Sequence, residues 1–280
     1  MTDEHTPSLT QRNVNRNGVS INDWLVVEEP LEMRVDGRSV AVVLRTPGAS
    51  SEEDLDLVVG FLLTEGVIDD IDDLTGLGHC TDPARPNRGN VVITHLASGT
   101  LEARRRLENA QREMYVGSSC GVCGKATIDK VFQRTEPIEV PVTLDANQIA
   151  EYPLRLRERQ PRFDQTGGLH GAAILNGQGH IVAVAEDIGR HNAVDKVIGH
   201  CLRNGPFPLH GHVLVVSSRA GFEIVQKAIM ARIGALVSVG AASSLADELA
   251  RRSGLNLYSF VRGTQFNHHV LTPPVEAVEP

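Results

Sequence analysis

"GAAILNGQGHIVAVAEDIGRHNAVDKVIGHCLRNG", residues 171–205, changes its apolar period from that of strands to that of a helix. Two apolar runs, Ala172–Leu175 and Ile181–Glu186, flank Asn176-Gly177-Gln178-Gly179, a composition that turns a chain back on itself as a β-hairpin. The periodicity then changes. Val194, Val197, Ile198, Cys201 and Leu202 recur at helical spacing, and Gly205 closes the run. A hairpin that feeds a helix opens an α/β unit.

The rhythm continues downstream. Strand Val213–Ser217 leads to a helix carrying Phe222, Val225, Ile229 and Ile233. Strand Leu236–Gly240, the helix "SSLADELARRSG" (243–254) and strand Leu257–Val261 follow. Strands separated by helices of this length pair in parallel through crossovers. Residues 144–280 are therefore expected to form a three-layer α/β sandwich on a mixed sheet.

Upstream, residues 1–20 are polar and read as a flexible tail, and residues 21–112 as a smaller α+β domain. That domain opens with the extended segment Trp24–Val27. A hairpin, Leu31–Val35 and Ser39–Leu44, turns at Asp36-Gly37. A helix follows in "SSEEDLDLVVGFLLTEG" (50–66), with Ser50 and Glu53 spaced as a capping box and Gly66 as its stop. Val91–Leu96 reads as a strand. "SGTLEARRRLENA" (98–110) reads as a helix whose basic run, Arg104–Arg106, suits a solvated face. Between Gln111 and Thr143 both periodicities fade, so residues 113–143 read as a linker between two domains.

Composition narrows the function. A net charge of −8 argues against general nucleic-acid binding, which needs a cationic surface. No apolar run approaches a membrane span, and the polar N-terminus lacks the apolar core of a secretory signal, so a cytoplasmic protein is expected. Four cysteines in 280 residues are too few for a disulfide framework.

In an open α/β sheet, ligands collect outside the carboxyl ends of the strands, where helices begin. Three segments share that position: "AEDIGRHNAVDK" (185–196), "VSSRAGFE" (216–223) and "VGAASSLAD" (239–247). Helix N-termini favour anions, and Arg190 and Arg219 add guanidinium forks suited to phosphate. Together with His191, Ser217 and Ser218 they outline a phosphate-binding crevice. Ordinary capping chemistry also accounts for Gly and Ser at helix starts. His191 can equally be a helix-start residue held by Asp195 one turn on. Glu186 and Asp187 either bind ligand or terminate a strand. Cys201 falls on an apolar stripe and reads as a buried thiol. Cys80 follows His79 with no second pair beside it. A four-ligand zinc site needs spacing this chain lacks, so no resident metal is expected.

The remaining cysteines sit in "GSSCGVCGKA" (117–126), a bare stretch rich in glycine. Cys120 and Cys123 here suit a backbone with wide conformational freedom, and a helix start near Lys125 would favour a thiolate. A second thiol can attack whatever the first one carries, releasing it and closing a disulfide. Half a zinc site, a redox pair and a sulfur carrier are the three readings of this pair. Redox motifs of the thioredoxin kind usually lie at a strand-to-helix step, whereas this one lies in an interdomain segment.

Five segments together resemble the formate dehydrogenase accessory sulfurtransferase family, FdhD/NarQ: "LVVGFLLTEGVI" (57–68), "SSCGVCG" (118–124), "TGGLHGAAIL" (166–175), "AEDIGRHNAVDKVIG" (185–199) and "SSRAGFEIVQKA" (217–228). The resemblance implies that a cysteine desulfurase hands sulfur to the cysteine loop. The sulfur then passes to molybdenum (or tungsten) bis(molybdopterin guanine dinucleotide), bound as substrate, for formate dehydrogenase. It makes Cys120 the persulfide-bearing residue and Cys123 its partner or relay. It places cofactor binding on Phe260, Val261, Arg262, Gly263, Thr264 and Gln265, directly after the last expected strand. It also implies a cytidine-deaminase-like fold and a homodimer. A zinc deaminase is the first rival reading, but no His-x-Glu motif occurs in the chain. A non-enzymatic chaperone for the nucleotide cofactor is the second.

Overall fold

The structure is a computed structural model and describes residues 8–97, 107 and 137–269. The chain begins with an antiparallel hairpin, β1 (Leu9–Arg16) and β2 (Val19–Val26). Asn17 and Gly18 both take positive φ at its turn, the geometry an Asn-Gly pair supplies cheaply. The flexible tail expected over residues 1–20 is thus corrected from Leu9 onward. Both faces of this hairpin are largely solvated, so its strands carry no apolar alternation to betray them.

Next come β3 (Glu29–Val35) and β4 (Arg38–Arg45), joined at Asp36-Gly37 with positive φ at both residues, as the turn chemistry predicts. β5 (Leu74–His79) and β6 (Val91–Leu96) complete a four-stranded sheet in the order β4-β3-β6-β5. Helix α1 (Glu52–Thr64) crosses between them in the chain. Gly66, at φ 69°, ends it, while the Val67 N–H returns to the Leu62 carbonyl. The capping box expected from Ser50 and Glu53 does not form. Ser51 is the N-cap, and the Glu53 carboxylate instead accepts from the Ala49 N–H and from Arg162. All but Leu107 of the helix expected at 98–110, and residues 113–136 of the expected linker, lie outside the described residues.

Helices α2 (Ala146–Arg157) and α3 (Pro161–Thr166) precede the six-stranded sheet. Its strands are β7 (His170–Leu175), β8 (Ile181–Asp187), β9 (Val213–Val216), β10 (Ala235–Ser238), β11 (Asn256–Arg262) and β12 (Gln265–His269), in the spatial order β12-β11-β10-β9-β7-β8. β9, β10 and β11 are parallel, while β7, β8 and β12 join antiparallel, so the sheet is mixed. Helices α4 (Arg190–Asn204), α5 (Phe222–Met230) and α6 (Ser244–Ser253) connect the strands.

The sheet is buried on both faces, and its strand residues alternate accordingly. Leu214, Val216, Leu236 and Leu257 join the core that contains α4, α5 and α6. Val213, Val215, Val237 and Tyr258 join a second cluster with Ile149, Tyr152 and Leu156 of α2.

Helix α1 belongs to the first of these cores. It crosses α4 where two glycines remove the side chains. A Cβ on Gly60 would fall 1.9 Å from the Asp195 carbonyl oxygen, and one on Gly199 would fall 1.8 Å from that of Asp56. Residues of both segments, 21–112 and 144–280, therefore contribute to one shared core.

Candidate functional site

The antiparallel setting of β7 brings the carboxyl ends of β8, β9, β10 and β11 to one edge of the sheet. The three segments singled out as strand-to-helix junctions sit on that edge. The second and third are bound to each other, and to β7 and β11, by the main chain. The Ser217 N–H donates to the Gly171 carbonyl (3.0 Å), that of Gly240 to Ser218 (2.9 Å) and that of Phe260 to Gly240 (2.8 Å). Gly240 is needed for this approach, because a Cβ there would lie 2.7 Å from the Arg219 Cα.

A cavity of about 600 Å³ opens at this edge. Pro153, Leu154 and Arg157 of α2 form one wall, and Phe163 with Gly167 and Gly168 a second. Val261, Arg262 and Gly263 line the cavity as well, as do Gln160, His170 and Ser217. The lining is largely apolar, with a few polar groups, which is the usual make-up of a small-molecule site.

The expected cofactor-binding residues divide in two. Ser217, Val261, Arg262 and Gly263 line the cavity. The segment 260–265 does not follow the last strand as a loop. β11 runs through Arg262, the chain turns at Gly263-Thr264, and Gln265 opens β12. Phe260 bulges out of β11 with φ 56°, half-exposed, and the Arg262 guanidinium lies 5.0 Å above its ring. Thr264 and Gln265 are exposed at the hairpin tip.

Arg190, His191, Ser218 and Arg219 share the edge but are not among the residues lining the cavity. His191 is held by Glu223, 2.8 Å from its Nε2, and not by Asp195. The Ser218 hydroxyl donates to the Arg219 carbonyl. Arg219 is exposed. Cys120 and Cys123 lie outside the described residues.

Two polar residues that sequence reading left between ligand binding and structure are structural here. Asp187 is fully buried and accepts from the N–H groups of Gly189 and Thr46, from Asn192 and from Lys196, whose Nζ lies 2.8 Å away. Glu186 accepts from the N–H groups of Arg162 and Phe163 at the start of α3. Burial raises its pKa against those bonds. Asp195 faces inward, bonded to Thr64 and to Lys227 at 2.9 Å. Burial presses the Lys227 ammonium toward neutrality, but the carboxylates of Asp195 and Glu65 outweigh it and raise its pKa.

His170, which sequence reading passed over, sits inside the cavity wall. Burial lowers its pKa, and the charges of Arg190 and His191 add to that against the pull of Asp187, so the neutral ring is favoured. Arg157 stacks over Phe163 (4.7 Å) and pairs with Asp164. Cys201 is buried, and burial pushes its thiol up to about 12, which makes it inert. Cys80 is a buried free thiol. No cluster of three or more potential metal ligands occurs among the described residues. Nor is any helix among them long and apolar enough to cross a membrane.

Comparison with known proteins agrees with the resemblance. The family model described as "FdhD/NarQ family" matches residues 26–272. A protein named sulfur carrier protein FdhD from Corynebacterium efficiens is 45% identical over 251 residues, 88% of this chain and 89% of the relative. Another of that name, from Anaeromyxobacter dehalogenans, is 43% identical over 266 residues, 93% of this chain and 91% of the relative. Among solved structures, a candidate formate dehydrogenase accessory protein from Desulfotalea psychrophila superposes with a TM-score of 0.69 at 20% identity, covering 95% of this chain and 97% of that one, and so shares its fold. With a family model and similar relatives that both cover most of its length, the chain belongs to the FdhD/NarQ family.

Proposed function

We propose that the protein is a sulfur carrier and sulfurtransferase of the cytoplasm, working with a cysteine desulfurase as donor. It serves maturation of formate dehydrogenase. The bound substrate in this reading is molybdenum bis(molybdopterin guanine dinucleotide), the layering is cytidine-deaminase-like, and the protein acts as a homodimer. The names of the relatives support the carrier role. The observation that carries the substrate is the cavity: four residues expected to bind it, Ser217, Val261, Arg262 and Gly263, line one space of about 600 Å³. That is within the range of small-molecule sites.

In the loading step the Cys120 thiolate attacks the terminal sulfur of the desulfurase persulfide. A sulfur–sulfur bond forms at Cys120 as the desulfurase thiolate leaves, and the transferred sulfur keeps its oxidation state. In the delivery step the Cys123 thiolate attacks Cys120 Sγ and expels the terminal sulfur as hydrosulfide for the metal. The two electrons come from the thiol pair, which closes as a disulfide. A cellular dithiol reductant reopens it.

The test is the mass of the protein after incubation with desulfurase and cysteine. Wild type gains about 32 Da, one sulfur atom, and Cys120→Ala does not. A retained adduct on Cys120→Ala overturns the role of Cys120. Full restoration of formate dehydrogenase activity by that variant, in cells lacking this function, would point to a cofactor chaperone.

A further inference from the structure

The cavity is lined by a polar side chain that no described residue engages. Gln160 is 2% exposed and lines the cavity. Its main chain is engaged, the N–H donating to the Arg157 carbonyl (3.3 Å) and the carbonyl accepting from Asp164 (3.1 Å). Its carboxamide makes no hydrogen bond to any described residue. Gly171 leaves room for it on β7: a Cβ there would meet Gln160 Cδ and Nε2 at 2.6 Å each. A carboxamide that faces a cavity with no partner among the described residues is free to bond whatever enters.

A carboxamide offers a donor and an acceptor side by side, and the matching ligand edge is a cyclic amide with adjacent C=O and N–H. Guanine and pterin both present that edge. We propose that Gln160 is the residue that recognises it, its NH2 donating to the ring carbonyl and its C=O accepting from the ring N–H. Leu154 and Phe163 provide apolar walls for the ring. Arg262 on the same cavity suits the attached phosphates. This assignment rests on the reading that the pterin guanine dinucleotide enters this cavity.

The experiment is calorimetric titration of the full chain with guanosine diphosphate and, separately, with 6-hydroxymethylpterin. Wild type, Gln160→Met and Gly171→Ala are compared. Met keeps the length of the side chain without its polar atoms. The Gly171→Ala methyl displaces the carboxamide tip, a flexible group that can move, without removing it. Wild type should bind at least one probe, and Gln160→Met should weaken it about tenfold or more. Gly171→Ala should weaken it in the same direction by less. Loss confined to the diphosphate assigns Gln160 to guanine, and loss confined to the pterin assigns it to that ring. Unchanged affinity in both variants overturns the role of Gln160 while leaving the cavity as the site. Binding of neither probe by wild type overturns this assignment together with the reading it rests on. Sulfur loading of Cys120 serves as the folding control. If Gln160→Met loses it, Gly171→Ala alone decides.

Discussion

At the scale of single residues, polar side chains are sorted by what surrounds them. Asp187 and Lys196 are both buried and face each other at 2.8 Å, with the Thr46 carbonyl as a further acceptor for Lys196 at 3.0 Å. Removing one member would leave an uncompensated charge in the interior. His170 is the contrasting case, a group at the cavity wall whose neutral form burial favours. Its pKa in the folded chain lies below the ordinary 6.5, so the folded state binds its proton less readily than the unfolded state. Its contribution to stability is complete above that ordinary value and is lost as the pH falls toward the folded pKa. Urea midpoints between neutral and mildly acidic pH should therefore fall less steeply for His170→Gln than for wild type. Parallel profiles would contradict the assignment.

At the scale of elements, the α1–α4 crossing depends on two positions without side chains. The backbone of each helix occupies the space a methyl group would need on the other. Neither Gly60→Ala nor Gly199→Ala can be relieved by rotating a side chain, because the nearest atoms are carbonyl oxygens of Asp195 and Asp56. Each substitution should cost about 3 kcal/mol or more, the upper end for overpacking. Gly78→Ala in β5, where nothing lies within 4 Å of an added Cβ, should stay within about 0.5 kcal/mol of wild type. Chemical denaturation of the three variants measures both. Element boundaries were legible where apolar periodicity was strong: β6 covers Val91–Leu96 as expected, and α4 ends at Gly205. The expectation missed β12, whose sequence Gln-Phe-Asn-His-His lacks an apolar face. It also missed α2, where Pro153 obscures a helical pattern. Ile149, Tyr152 and Leu156 at helical spacing, with Asp145 and Gln148 as a capping box, were the available signal.

At the scale of the whole molecule, the four-stranded and six-stranded sheets are held together through α1 and α4. Thr64 from α1, Asp195 from α4 and Lys227 from α5 meet in one buried cluster, with Lys227 Nζ 2.8 Å from the Thr64 hydroxyl. At the end of β4, the Leu44 carbonyl accepts from Asn192 at 2.8 Å. Cutting the chain between these partners exposes the apolar face of α4 and strands buried charges. Residues 144–280 expressed alone should lose the dispersed amide spectrum of a packed core. The full chain should unfold in a single transition by circular dichroism. A well-dispersed spectrum from the fragment would show that each half folds independently.

The succession of strands and helices from Ala172 to Val261, the hairpin at Asp36-Gly37 and membership of the family are all written in the order of residues. Local periodicity and turn chemistry, with motif order, carry that information. Tertiary structure alone decided which residues of the "EDIGRHNAVDK" segment turn inward, since Asp195 is claimed by a threonine and a lysine distant in the chain. It alone also placed Gln160, His170 and Arg262 on the lining of one cavity. Periodicity records which face of an element is apolar; only packing determines which distant element meets that face and which polar groups remain facing a cavity.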